Sequence, residues 1–333
     1  MVATRVEPAV LTTVFSSMSM GAVPTEVSTA GRPRPLARPL ALALAPALAL
    51  ALAGCAVPAA HGISTVAGLY PFAYVLERVG GPDIGVTNLT KPGAEPHDLE
   101  LTPRQVAAVE TAGLVVYLPG LQPAVDDAVR TEARHHSLDI ADAVSLLPAP
   151  TALGGGSEDN SVTDPHVWLD PLRMVAITDA VASRLATIDP AHASGYRDRA
   201  AALRKDLIAL DAQYRQGLKT CARHDIVTSH AAFGYLAERY GLTQVGVGGL
   251  DPEQEPSPRR IAEVTTYVRQ RGVTTIYFET LVSPKVAQTV AAETGAHTAV
   301  LDPIEGLPAG SKADYLTVMR ANLAALRSGL GCR

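Results

Sequence analysis

From about residue 61 onward the chain alternates short β-branched apolar runs with longer helical segments, in two series. Between the series lies a stretch, Leu172 to Ile188 and then Ala191 to Leu218, that reads as helix with no strand in it. The first series offers strands at His61 to Leu69, Ile84 to Leu89, Leu114 to Tyr117 and Leu138 to Ala141, with helices at Tyr70 to Val79, after Thr102 and near Ala124 to Ala133. The second offers strands at Ile226 to Ser229, Thr243 to Val247, Thr275 to Phe278 and Thr298 to Leu301, with helices near Ala231 to Tyr240, Pro258 to Arg271, Pro284 to Thr294 and Ala313 to Arg327. Short apolar strands joined through helices build parallel sheets covered on both faces. The expected fold is therefore α/β, with two lobes, each a parallel sheet flanked by helices, joined by a long rigid interlobe helix. Helix starts carry their own marks. Thr102-Pro103-Arg104-Gln105 has the form of a capping box, and Asp170-Pro171, Asp189-Pro190, Ser257-Pro258 and Ser283-Pro284 repeat a cap followed by proline.

The leader reads as an export address. Arg32, Arg34 and Arg38 precede PLALALAPALALALAGC, too short to act as a stop-transfer helix and ending in small residues. Residues 1–54 are thus a signal peptide, and Leu52-Ala53-Gly54-Cys55 resembles a bacterial lipobox, in which Cys55 is lipidated and leads the mature chain. The expected division is 55–168 for the first lobe, 169–219 for the interlobe helical segment and 220–333 for the second lobe. Of 28 basic and 33 acidic residues, the leader takes four and two, leaving the mature chain at net −7. Nucleic acid is then an unsuitable partner. Beyond Cys55 the cysteines are Cys221 and Cys332, which an oxidising compartment permits to pair across 111 residues.

Four side chains able to hold a metal recur at near-equal intervals: His97 in GAEPHDLELTP, His166 in DPHVWLDP, His230 in VTSHAAFGYL and Asp302 in AVLDPIEGL, 69, 64 and 72 positions apart. Ligands of open parallel sheets gather beyond the carboxyl ends of strands. His97 follows one strand through a Lys91-Pro92-Gly93 turn, and His230 and Asp302 each end one directly. His166 reaches the same cleft if DPHVW enters from the junction of the lobes. Three imidazoles and a carboxylate form an N3O set that suits Zn2+, whereas Mn2+ prefers more oxygen donors. Glu95 is a candidate outer group beside His97, and Glu279 a candidate acceptor for the second N–H of a ligating imidazole. His61, His135, His136, His192, His224 and His297 do not stand at strand ends, and Trp168 reads as a core or cleft-wall aromatic.

PGAEPHDLELTPRQVAAVETAGLVVY, DPHVWLDP, IVTSHAAFGYLAERYGL and the IYFET and VLDP segments together resemble the zinc/manganese solute-binding lipoproteins of bacterial ABC importers. The resemblance runs from about Gly62 to Leu330. It implies a non-enzymatic protein on the outer face of the cytoplasmic membrane, lipid-anchored and monomeric, that delivers its ion to an ABC permease and ATPase. It further implies His97, His166, His230 and Asp302 as ligands; manganese-type relatives commonly carry Glu where this chain has His230, which favours zinc. Mn2+ or Fe2+ is the alternative cargo, a secreted zinc hydrolase using Glu95 or Glu279 as base the alternative class, and some relatives act as adhesins. The insertion PAPTALGGGSEDNSVTD lacks the histidines with which many zinc-type relatives gather metal.

Overall fold

Proline and short polar caps set where the helices begin. In a computed structural model, which describes residues 62–150 and 162–333, Thr102 closes a full capping box with Gln105 at the start of the helix Pro103–Thr111, and the Asp170 and Ser257 side chains accept from the first-turn N–H groups of Pro171–Ile188 and Pro258–Arg271. The signal peptide, Cys55, His61 and most of the Gly-rich insertion lie outside the described residues.

In chain order the first half comprises β1 (Ile63–Ala67), α1 (Tyr70–Gly80), β2 (Ile84–Asn88), α2 (Pro103–Thr111), β3 (Leu114–Tyr117), α3 (Pro123–Ala128) and β4 (Ser137–Asp139). Then come α4 (Pro171–Ile188) and α5 (Ala193–Gly217). The second half comprises β5 (Asp225–Thr228), α6 (Gly234–Tyr240), β6 (Thr243–Gly246), α7 (Pro258–Arg271), β7 (Thr275–Phe278), α8 (Lys285–Thr294), β8 (His297–Val300) and α9 (Tyr315–Leu330). Each half forms one four-stranded sheet, in the orders β2-β1-β3-β4 and β6-β5-β7-β8, with every pairing parallel. Both sheets reverse their winding between the two central strands, which opens a crevice at the carboxyl ends of those strands. α5 has 25 residues, about 37 Å of helix, and lies against α1, α4 and α9.

Four local expectations change. The helix foreseen to run on to Ala133 ends as α-helix at Ala128 and continues as a wider π-type turn, Val129–Ala133, which buries Val129 and Ala133 beneath the first sheet. Asp189-Pro190 opens a 3-10 turn over Pro190–His192, and α5 follows from Ala193; the Asp189 carboxylate is occupied by His192 Nδ1 and Tyr196 Oη, both at 2.7 Å. α8 starts at Lys285, one residue later than the Ser283-Pro284 signal places it, although Ser283 Oγ still accepts from Lys285 N at 3.4 Å. α6 starts at Gly234 instead of Ala231, because the chain after His230 is bonded sideways: Ala231 N donates to Gly249 O and Gly248 N to Ser229 O.

The largest apolar cluster runs through both halves. Phe72 and Leu76 of α1, Trp168, Ile177 of α4, Tyr196 and Tyr214 of α5, Tyr235 of α6 and Tyr315 of α9 belong to it, all buried, with Phe72 and Trp168 edge to face at 6.2 Å. Separate clusters back the outer faces of the first sheet (Val66, Leu89, Val109, Val115) and the second (Val227, Val245, Val264, Ile276). Cys221 and Cys332 are joined by a disulfide that ties the chain just after α5 to the end of α9. Among the described residues no helix is long and apolar enough to cross a membrane.

Candidate metal centre

His97 lies in the loop after β2, His230 stands two residues past the end of β5, and Glu279 directly follows β7. His230 and Glu279 thus follow the two central strands of the second sheet, where the crevice rule places ligands, while His97 comes in from the carboxyl end of the edge strand β2. His166 comes from the segment between β4 and α4, which is fastened on both sides. Asp164 N donates to Leu147 O (2.8 Å) in the first half, while Trp168 Nε1 donates to Pro303 O (2.6 Å) and Tyr315 Oη donates to Trp168 O (2.6 Å). DPHVW therefore does enter the cleft from the junction. Trp168 forms part of the wall, its ring 5.3 Å from that of His166.

The three imidazoles converge on one oxygen. Nε2 of His166 lies 2.9 Å from Glu305 Oε1, Nε2 of His230 3.3 Å and Nε2 of His97 3.5 Å. His166, His230 and Glu305 are sealed, at 0%, 2% and 2% side-chain exposure, and His97 at 11% is the one that solvent reaches. The far nitrogens of the two sealed histidines are engaged by carboxylates: His166 Nδ1 by Asp164 Oδ1 at 2.7 Å, His230 Nδ1 by Glu279 Oε1 at 2.8 Å. Glu279 also accepts from Ser229 Oγ (2.7 Å). In the neutral rings, carboxylates in these places favour the tautomer that carries its proton on Nδ1 and presents the Nε2 lone pair to the cleft.

Asp302, expected to be the fourth member, stands outside this cluster. Its Oδ2 accepts from Thr280 Oγ1 (2.7 Å) and its Oδ1 from Ile304 N (2.8 Å), while its backbone is bonded both ways to the Asn322 amide. A short carboxylate at a strand end is captured by its own turn. The next residues then swing the chain inward, with Ile304 buried and in the left-handed region at φ 59°, the only non-glycine residue so placed among those described. That reversal delivers the longer Glu305 to the imidazoles. Among the described residues, the groups whose donor atoms lie within 4.8 Å of one another are His97, His166 and Glu305, and His230, Glu279 and Glu305. Sequence reasoning missed Glu305 and Asp164. The acid inside PIEGL, one turn beyond the strand end, and the acid two residues before His166 were the available signals.

Charge follows geometry. Burial alone would raise the Glu305 carboxyl, but hydrogen bonds from the three imidazoles hold it well below the usual carboxylate range. Burial would lower His230, yet Glu279 and Glu305 outweigh it and push the ring up to about 10. His166 is raised in the same way, against burial, by Asp164 and Glu305. Glu95 is pushed up to about 7 by burial; its Oε2 accepts from His97 N (2.8 Å), and its Oε1 is buried with no hydrogen-bond partner. Burial likewise raises Asp302. His136 Nε2 pairs with Val109 O and His192 with Asp189, both away from the cluster.

Residues 65–329 match the family described as ZnuA, zinc-uptake complex component A, periplasmic. The high-affinity zinc uptake system protein ZnuA of Bacillus subtilis is 33% identical over 286 residues, covering 81% of this chain and 87% of that protein. The chain belongs to the ZnuA family. The zinc-binding protein AdcA of Streptococcus pyogenes serotype M3 is 33% identical over 287 residues, 80% of this ZnuA-family chain; the chain spans 55% of that relative's length. The solved structure of the laminin-binding protein Lmb of Streptococcus agalactiae, described as a bifunctional protein with adhesin and metal transporting activity, superposes with a TM-score of 0.72 at 33% identity, covering 81% of this chain and all of that one. ZnuA is a family of solute-binding components of zinc uptake and not of enzymes, so the hydrolase alternative falls.

Proposed function

We propose that this chain captures Zn2+ outside the cytoplasm, with His97, His166, His230 and Glu305 as its ligands, and delivers the ion to an ABC-type membrane permease and its ATPase. The reading rests on the convergence of three Nε2 atoms on one carboxylate oxygen. With the Nδ1 protons of His166 and His230 turned toward Asp164 and Glu279, two nitrogen lone pairs face a negative oxygen. Such an arrangement is repulsive unless a cation, a proton or a metal ion, sits among them. The spacing of Glu305 from each ring fits a metal: bonds of about 2.05 Å in a tetrahedron give ligand separations of roughly 3.3 Å, and the three imidazole-to-Glu305 distances are 2.9, 3.3 and 3.5 Å.

Zinc is preferred over Mn2+ or Fe2+ on the chemistry of three imidazoles and one carboxylate, and on the zinc in the names of the B. subtilis and S. pyogenes relatives. Anchoring through Cys55, a place on the outer face of the cytoplasmic membrane and a monomeric state complete the reading, supported by the lipobox-like Leu52-Ala53-Gly54-Cys55 and by the family description as periplasmic.

Metal content and calorimetric titration test it. Wild-type protein is expected to bind one equivalent of Zn2+, Glu305→Gln to bind at least tenfold more weakly, and Asp302→Asn to keep most of the affinity. Protein that takes up no zinc, or that surrenders it to equimolar Mn2+, would overturn the assignment. A large loss in Asp302→Asn beside a neutral Glu305→Gln would return the fourth position to Asp302.

A further inference from the structure

We propose that Tyr235 is a positioning residue for the metal site, acting on His166 through Asp164. The inference rests on the reading of His166 as a ligand. Tyr235 belongs to α6 in the second half and its side chain is fully buried. Its hydroxyl donates to Asp164 O (2.6 Å) and accepts from Leu147 N (2.8 Å), so one phenol closes two backbone groups of the first half. The Arg173 guanidinium lies over the ring at 4.5 Å and is itself held by Asp170 at 2.8 Å, which fixes the phenol in place.

The neighbouring residue sets the distance. A Cβ on Gly234 would stand 2.5 Å from Asp164 Oδ2, closer than a Cβ approaches a non-bonded neighbour, so the first turn of α6 comes this near to the carboxylate only because position 234 lacks a side chain. Asp164 is thus gripped at its carbonyl by Tyr235 and flanked at its carboxylate by Gly234. Its other oxygen, Oδ1, takes both the backbone N–H (2.9 Å) and the Nδ1 (2.7 Å) of His166. A carboxylate that orients a ligating imidazole works only if it is itself immobile; freed by a few tenths of an ångström, it lets the ring swing and Nε2 drift from the position shared with His230 and Glu305. Tyr235 therefore lets an element of the second half aim an imidazole carried by the inter-half segment.

Tyr235→Phe tests this, because it keeps the ring and the Arg173 contact and removes only the hydroxyl. Two quantities are read: zinc affinity by competition with a chromogenic chelator, and the His166 Nδ1–H signal of metal-free protein by NMR on histidine labelled with 15N. About a tenfold loss of affinity is expected, at the lower end of what loss of a supporting partner costs, together with an upfield move and faster exchange of the Nδ1 proton. Gly234→Ala, which pushes the carboxylate from the other side, is expected to alter the same proton. A lowered melting temperature with unchanged affinity and an unchanged proton signal would make Tyr235 a packing residue and overturn the proposal. Should wild-type protein bind no zinc while the proton still responds to Tyr235→Phe, the control of His166 stands and the proposed function falls.

Discussion

Three imidazoles around one carboxylate oxygen form a cluster whose protons must leave when a metal ion enters. His230 is raised in the fold to about 10 from an ordinary value near 6.5, so the stability it contributes is fully present below about pH 6.5 and is lost as pH climbs toward 10. Glu305 is depressed, so its contribution is present above about pH 4.5 and lost as pH falls through its lowered value. Metal-free protein is expected to melt highest between about pH 4.5 and 6.5, whereas zinc affinity rises steadily from pH 5 to 8 as protons compete less. Calorimetric melts and titrations across that range check both; a zinc affinity independent of pH would contradict the cluster as described. The three histidines were legible because each sits in a short motif at a strand end or at the junction. Glu305 was not, because the strand-end rule points to Asp302, and only the backbone reversal at Ile304 shows that Asp302 is captured by its own turn. Asp164 was hidden for a different reason: an acid two residues from a histidine looks like any loop carboxylate until the ring is seen to turn back toward it.

At the scale of elements, Asp170 joins two roles. It caps α4 by accepting from Leu172 N (2.9 Å), and it receives Arg239 of α6 through both oxygens, at 2.8 and 2.6 Å, with Arg173 as a second cationic neighbour. The carboxylate is fully buried. Asp170→Ala would leave two guanidinium groups without their shared acceptor and α4 without its cap, and is expected to destabilise by about 3 to 5 kcal/mol, the usual cost of breaking a buried pair from one side; urea unfolding would measure it. Most strands were legible because short runs such as Leu114–Tyr117 and Thr275–Phe278 are apolar and β-branched or aromatic. The cap-then-proline signal found the start of α4 and α7 and came within one residue of the start of α8, where Ser283 Oγ accepts from Lys285 N but the helix begins at Lys285. Hydrogen bonds made sideways to Gly249 delayed α6, and no local pattern announces those.

For the molecule as a whole, the disulfide and the shared core act on the same unit. Reduction of Cys221–Cys332 opens a loop of 111 residues, and chain entropy sets the loss at about 4 to 5 kcal/mol at most. A melt with and without reductant is expected to show a large downward shift with zinc binding retained once the protein is refolded below it, since neither cysteine touches the cluster. The parallel α/β organisation was open to sequence reading; the continuity of the apolar interior was not, because it depends on Trp168, Tyr235 and Tyr315 meeting from distant parts of the chain. That continuity limits what an empty carrier can look like. Two bodies sharing one interior cannot gape like a clam without exposing Phe72, Trp168 and Tyr315 to water, so full and empty carriers keep nearly the same outline in solution scattering. Under the proposed function, a permease that must turn away metal-free protein would then discriminate by touch, at the rim where the His97 loop meets solvent.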